Sequence, residues 1–143
     1  MSESVRKIIA DSGPLIALFD ASDRGHPRAS RFLKSFKGGL VSTWPVLTEV
    51  SHMLGFSVDR QIDFLEWVRR GAIDVVDLPK NGIDVAIRLT RTYRNVPMDL
   101  ADASLLVLAI DSGLREIFTF DSDFDVYRLP DRSHLTNVLQ PAT

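Results

Sequence analysis

The sequence predicts an α/β protein built on a mainly parallel sheet of four to five strands, with helices on both faces. Short apolar runs alternate with longer segments of helical periodicity, and turn residues separate nearly every pair. Aspartates also follow the first and the fourth of those apolar runs. Open parallel sheets bind ligands at that carboxyl edge.

The elements follow in order. Val5 to Ala10 (VRKIIA) reads as a buried first strand ending at Asp11, and Ser12 to Asp20 as a short helix with Ser12 as its N-cap and Pro14 in its first turn. Gly25-His26-Pro27 breaks that helix and opens a second, to about Phe36; Gly38-Gly39 is a turn before a second strand, Leu40 to Ser42. Pro45 opens the helix VLTEVSHML, which carries Glu49 within its first two turns, and Asp59 caps a helix reaching Arg70. Ile73 to Val76 is a third strand and Asn81 to Tyr93 an amphipathic helix. Met98 to Ser112 is a long helix stopped by Gly113; Glu116 to Phe120 is a fourth strand and Leu135 to Leu139 a fifth.

A chain of 143 residues without repeats or long linkers fits one domain, residues 1–143, large enough for a core of its own. It has no cysteine, which excludes disulfides and cysteine-ligated metal. The N-terminal MSESVRKII lacks the apolar centre of a signal peptide, and the longest apolar run, Leu105 to Ile110, is too short to span a bilayer. The expectation is a cytoplasmic protein with no membrane association. A net charge of −2 neither supports nor excludes a nucleic-acid partner.

Four segments offer carboxylates: IIADSGPL with Asp11, VLTEVSHML with Glu49, MDLADASLL with Asp99 and Asp102, and TFDSDF with Asp121 and Asp123. Asp99 and Asp102 are three apart and share a helix face. Crowded carboxylates repel one another and raise their own pKa values, so a fold that gathers them needs a compensating charge. An oxygen-only donor set suits Mg²⁺ or Mn²⁺, and two such ions about 3.5–4 Å apart can activate a water and stabilise the leaving oxygen of a phosphodiester. Rival chemistries lack their signatures: the sequence has no Walker loop, no G-x-S-x-G elbow, no dinucleotide glycine fingerprint and no zinc-ligand spacing.

In this order, IIADSGPLIALF, VLTEVSHML, MDLADASLL and IFTFDSDF resemble the PIN domain, especially its small VapC-like ribonuclease toxins, over about Lys7 to Arg128. The resemblance implies a three-layer α/β/α sandwich and a metal-dependent endoribonuclease. Asp11, Glu49, Asp102 and Asp121 match the family's four acids, catalytic and metal-holding; Asp99 and Asp123 match positions that are often acidic. Ser12 and Thr119 supply hydroxyls able to orient carboxylates or water. The resemblance further implies an RNA substrate, a cognate antitoxin and a homodimer.

Plainer roles compete at each residue. Asp11 can serve as a helix cap, Glu49 as a solvated helix acid and Asp102 as a partner for arginine, while Asp121 and Asp123 compete for one position. Asp99 suits a helix N-terminus in any case. His26 and His52 read as surface or packing residues, and the aromatics as core or dimer interface. Arg24, Arg28, Arg31 and Lys34, and later Arg88, Arg91 and Arg94, form basic stripes at helical spacing that either contact phosphates or are simply solvated. Two functional alternatives stay open: a DNA or RNA-processing nuclease of the same fold, and a catalytically silent module with an acidic binding pocket.

Overall fold

The structure, a computed structural model, describes residues 5–139; the first four residues of the N-terminal stretch read above lie outside it. Five strands, β1 (Lys7–Ala10), β2 (Gly39–Ser42), β3 (Ile73–Val75), β4 (Glu116–Phe118) and β5 (Thr136–Asn137), form one sheet in the order β3-β2-β1-β4-β5, every neighbouring pair parallel. Six helices complete the α/β/α arrangement: α1 (Ser12–Phe19), α2 (His26–Ser35), α3 (Trp44–Met53), α4 (Val58–Arg69), α5 (Gly82–Thr92) and α6 (Leu100–Ser112), with a 3₁₀ turn at Ser122–Asp125.

The strand order locates the site. The chain steps outward from β1 to β2 and β3, then crosses back to lay β4 against the other side of β1, with Ile9 opposite Ile117 and Ala10 opposite Phe118. The direction of winding therefore reverses between β1 and β4. Connections on either side of such a reversal diverge and leave a crevice beyond the strand ends. Asp11 follows β1 there, and Thr119 to Asp121 follow β4.

Beneath the crevice, Ile8, Ile9, Ala10, Ile117 and Phe118 are fully buried. Burial on both faces explains why these strands read as continuous apolar runs rather than alternating ones. Helix α6 is apolar on all sides, and eight of its residues are buried, from Ala101 through Ala109 except Asp102. Such a helix belongs inside a domain.

The structure corrects several boundaries. β1 begins at Lys7 rather than Val5, because its partner β2 begins opposite at Gly39 and Val5 remains 62% exposed. β4 ends at Phe118, two residues early, since the Thr119 hydroxyl turns the chain by accepting the Asp121 amide at 2.9 Å. β5 shrinks to Thr136–Asn137. Asp11, not Ser12, caps α1. Ser57, not Asp59, caps α4, its hydroxyl accepting from the Arg60 amide, while Asp59 sits in the first turn. α3 starts one residue before Pro45, at Trp44, and α6 starts at Leu100 with Asp99 as its cap rather than at Met98. Gly113 ends α6 as expected, in the left-handed region at φ 81°.

Candidate active site

Asp11 is held from three directions. Its backbone N–H donates to the Phe118 carbonyl at 3.0 Å, continuing the β1–β4 ladder one residue past the strands. One carboxylate oxygen, Oδ1, accepts the Ser12 amide at 2.8 Å, and the other, Oδ2, accepts the Thr119 hydroxyl at 2.6 Å. The side chain is thereby fixed at both oxygens while the residue is only 5% exposed. Burial pushes its pKa up to about 6, opposed by the Thr119 hydroxyl and the Ser12 amide and assisted by the charges of Asp121 and Glu49.

Thr119, fully buried, links the two strand-end acids: it donates to Asp11 and accepts from the Asp121 amide. Asp121 then caps the 3₁₀ turn by accepting the Asp123 amide at 2.9 Å. Ser12, which is not needed as a helix cap, donates its hydroxyl to Glu49 Oε1 and ties α3 to the start of α1.

The remaining acids enter from α6. Asp99 accepts the Asp102 amide at 2.8 Å and Asp102 accepts the Asp99 amide at 3.3 Å, a reciprocal capping box. Asp102 is half-buried, and its pKa rises to about 7, chiefly through burial and then through Asp99, Asp11 and Asp121, against the lowering effect of the Asp99 amide. Thr119 joins Asp11 to the Asp121 backbone and Ser12 joins the start of α1 to Glu49, while the charges of Asp121 and Glu49 act on Asp11 and those of Asp99, Asp11 and Asp121 on Asp102. Asp123 donates its amide to Asp121, and its charge contributes to the raised pKa of Tyr127.

Tyr127 is a neighbour that sequence reading missed. It is fully buried, its hydroxyl donates to the Pro97 carbonyl at 2.6 Å, and burial plus the nearby aspartates raise its pKa. It therefore remains a neutral donor that ties the loop before α6 to the segment after β4. Nothing in its sequence context marks it. Phe120 is a second such neighbour. Its ring packs so closely against Gly13 and Gly25 that a Cβ at Gly25 would lie 2.4 Å from it, and the Arg28 guanidinium sits over it at 6.0 Å.

Among the described residues no ion pair is found to Asp11, Glu49, Asp99, Asp102 or Asp121. The ion pairs Arg6–Glu116, Arg60–Asp63 and Arg69–Glu66 lie elsewhere. Among the described residues no three acidic or histidine side chains are gathered tightly enough to enclose a metal by themselves. The donor set is all oxygen, and its most buried members are pushed toward the neutral form. That fits a hard cation such as Mg²⁺, which binds through one or two carboxylates and completes its shell with water or phosphate oxygens.

Comparison with known proteins identifies the family and the fold. The family model described as PIN domain matches residues 8–129. Ribonuclease VapC26 of Mycobacterium tuberculosis (strain ATCC 25618 / H37Rv) is 28% identical over 116 residues, 80% of this chain and 86% of that protein. The crystal structure of M. tuberculosis VapC20, a sarcin-ricin loop cleaving toxin, superposes with a TM-score of 0.75 at 19% identity, covering 83% of this chain and 93% of that one. The structure of VapBC2 from Rickettsia felis, bound to a DNA fragment from their promoter, gives 0.62 at 12% identity, covering 92% and 98%. At such identities the two structures speak for the fold alone.

Proposed function

The chain belongs to the PIN domain family, and from that premise we propose that it is a single-domain, metal-dependent endoribonuclease and the toxin of a type II toxin–antitoxin pair. The observation that carries this reading is the group of Asp11, Glu49, Asp102 and Asp121 at the β1–β4 crevice, with no ion pair to any of them among the described residues. The ribonuclease activity named for the relative VapC26 supports it.

In this proposal the four acids hold one or two Mg²⁺ or Mn²⁺ ions. Such ions would supply charge neutralisation and lower the pKa of a water there. The chain's own residues do the positioning. Thr119 and the Ser12 amide fix both oxygens of Asp11, and the Ser12 hydroxyl orients Glu49. Asp102, whose pKa is raised to about 7, would be held ionised by a cation bound beside it. The products are a 5′-phosphate and a 3′-hydroxyl. Ser12, Thr119, Asp99 and Asp123 support the four acids.

The partners in this reading are RNA, a cognate antitoxin and a second copy of the chain, all in the cytoplasm. Val58, Ile62 and Leu65 are 47–66% exposed and recur along one face of α4, which supports a protein partner on that side. No helix of the described residues is long and apolar enough to cross a membrane.

The test is cleavage of single-stranded RNA with Mn²⁺, beside the same reaction in chelator and with Asp11→Asn. Activity confined to the untreated wild-type chain is expected. Equal turnover in the variant would remove Asp11 from the site, and turnover in chelator would remove the metal.

A further inference from the structure

The four acids stand on two separate supports. The Thr119 and Ser12 hydroxyls tie Asp11, Asp121 and Glu49 together around the ends of β1 and β4. Asp102 belongs to the first turn of α6, closed by its capping box with Asp99. A cation shared by acids of both supports needs them at a fixed separation, because Mg²⁺ demands near-ideal octahedral geometry with ligands at about 2.0–2.1 Å.

Tyr127 spans the two supports. Its backbone N–H donates to the Asp123 carbonyl at 3.2 Å, which seats it on the 3₁₀ turn that Asp121 caps. Its fully buried ring packs edge-on against Phe124, with centres 5.4 Å apart, and against Tyr93 at the end of α5, 5.1 Å apart. From that socket its hydroxyl donates to the Pro97 carbonyl at 2.6 Å, two residues before the Asp99 cap of α6. Other bonds of the same loop are local: the Val96 amide donates to the Tyr93 carbonyl at 2.9 Å, and Asp99 and Asp102 bond each other.

The hydroxyl lies within electrostatic reach of acids from both supports. Burial first, then Asp102, Asp123, Asp121 and Asp99, raise its pKa. It therefore keeps the proton it donates while the acids around it ionise. A phenylalanine would fill the same socket, so what the hydroxyl adds is the placement of the loop.

We propose that Tyr127 is a positioning residue for the metal site: through the Pro97 carbonyl its hydroxyl sets the start of α6, and with it Asp102, at the separation from Asp11 and Asp121 that a shared cation requires. The proposal rests on the metal-dependent nuclease reading above and adds a residue that touches neither metal nor substrate.

The test compares Tyr127→Phe with Tyr93→Phe. The Tyr93 hydroxyl accepts the Arg128 amide at 2.8 Å, so its loss weakens the same aromatic cluster without removing the bond to Pro97. Thermal melting is followed against Mg²⁺ concentration. Tyr127→Phe should need roughly 10-fold more Mg²⁺ than wild type for half its full stabilisation, the low end of the range for residues that orient metal ligands, and Tyr93→Phe should match wild type. Below saturating Mg²⁺, kcat on RNA should fall by a similar factor in Tyr127→Phe with KM little changed, and excess Mg²⁺ should restore it. An equal Mg²⁺ requirement in Tyr127→Phe and wild type, whatever their melting temperatures in chelator, would overturn the positioning role and leave Tyr127 a packing residue. A rise shared equally by Tyr93→Phe would also overturn it, assigning the effect to the aromatic cluster. A wild-type chain that Mg²⁺ does not stabilise would overturn the metal reading and the positioning role with it. A wild-type chain that Mg²⁺ stabilises but that leaves RNA intact would overturn the nuclease reading alone.

Discussion

Asp11 and Asp102 enter the same crevice on different supports. Asp11 stands at the end of a central strand, enclosed, with an amide on one oxygen and a hydroxyl on the other. Asp102 stands in the first turn of a helix, half-buried, with one long bond from the Asp99 amide and like charges around it. Although Asp11 is the more deeply buried, its pKa rises to about 6 while that of Asp102 rises to about 7. Burial dominates both shifts; the donors on Asp11 oppose it, whereas the neighbours of Asp102 add to it. Burial therefore raises both acids, and the donors on Asp11 work against it where the neighbouring charges on Asp102 work with it.

The largest expected effect comes from removing the charge on the strand side. Asp11→Asn keeps the size of the side chain and an acceptor for the Ser12 amide, yet turnover should fall by at least on the order of 10²–10³-fold. A rate within tenfold of wild type would break the assignment of Asp11 as the principal acid.

Stability in chelator sharpens the comparison next. Both folded pKa values lie above the ordinary aspartate value of 3.8, so between about pH 4 and pH 7 the native state binds more protons than the unfolded chain. Stability contributed by these groups is therefore lost as pH rises through that window. For Asp11 a rise from 3.8 to about 6 corresponds to about 3 kcal/mol. In chelator at pH 8, Asp11→Asn should thus unfold at higher denaturant than wild type, with the difference gone near pH 4. Saturating Mg²⁺ should stabilise wild type more than the variant. A pH-independent difference would show that burial of charge is not the cause.

Thr119→Val tests the donor half of the argument at nearly constant volume. It strands a buried carboxylate oxygen and the Asp121 amide, at a cost of about 1–3 kcal/mol for a buried group left unsatisfied. It should also move the Asp11 pKa upward, readable by carboxylate NMR titration in chelator.

Asp99→Asn should have the smallest effect. Asparagine caps a helix about as well as aspartate, so stability should change by only a few tenths of a kcal/mol. Loss of the Asp99 charge should nevertheless lower the Asp102 pKa. An unchanged titration would mean that burial and the other acids, not Asp99, set it.

Much of the fold was legible because its central parts announce themselves in apolar runs. KIIA before Asp11, the buried stretch Ala101 to Ala109 and the stop at Gly113 all read directly. The ends were harder. Ser57 and Asp59 are both good caps in sequence, and only the geometry of the turn before α4 selects Ser57. EIFTF reads as one strand, but the Thr119 hydroxyl bends the chain and Phe120 leaves the sheet to cover Gly13 and Gly25. The acids could be named from their positions relative to predicted strands and from family resemblance. The contacts joining them could not: Thr119 to Asp11, Ser12 to Glu49 and Tyr127 to Pro97 span separations of 108, 37 and 30 residues. The exposure of Trp44 was equally hidden, since a tryptophan before Val46 and Leu47 reads as core until the helix phase is known.

Asp102 is the only residue from Ala101 to Ala109 that is not buried, so the site is carried by the most enclosed helix in the domain. Amide hydrogens deep in such a helix exchange only through large-scale opening, while loops and frayed ends exchange through small local ones. Fluctuations that loosen the α2 or α4 surface should leave Asp102 in register with Asp11. Deuterium uptake should accordingly be slowest along α6 right up to the turn after Asp102, and activity should persist until the whole domain unfolds. A protease that acts through local openings would then trim the periphery well before it inactivates the molecule.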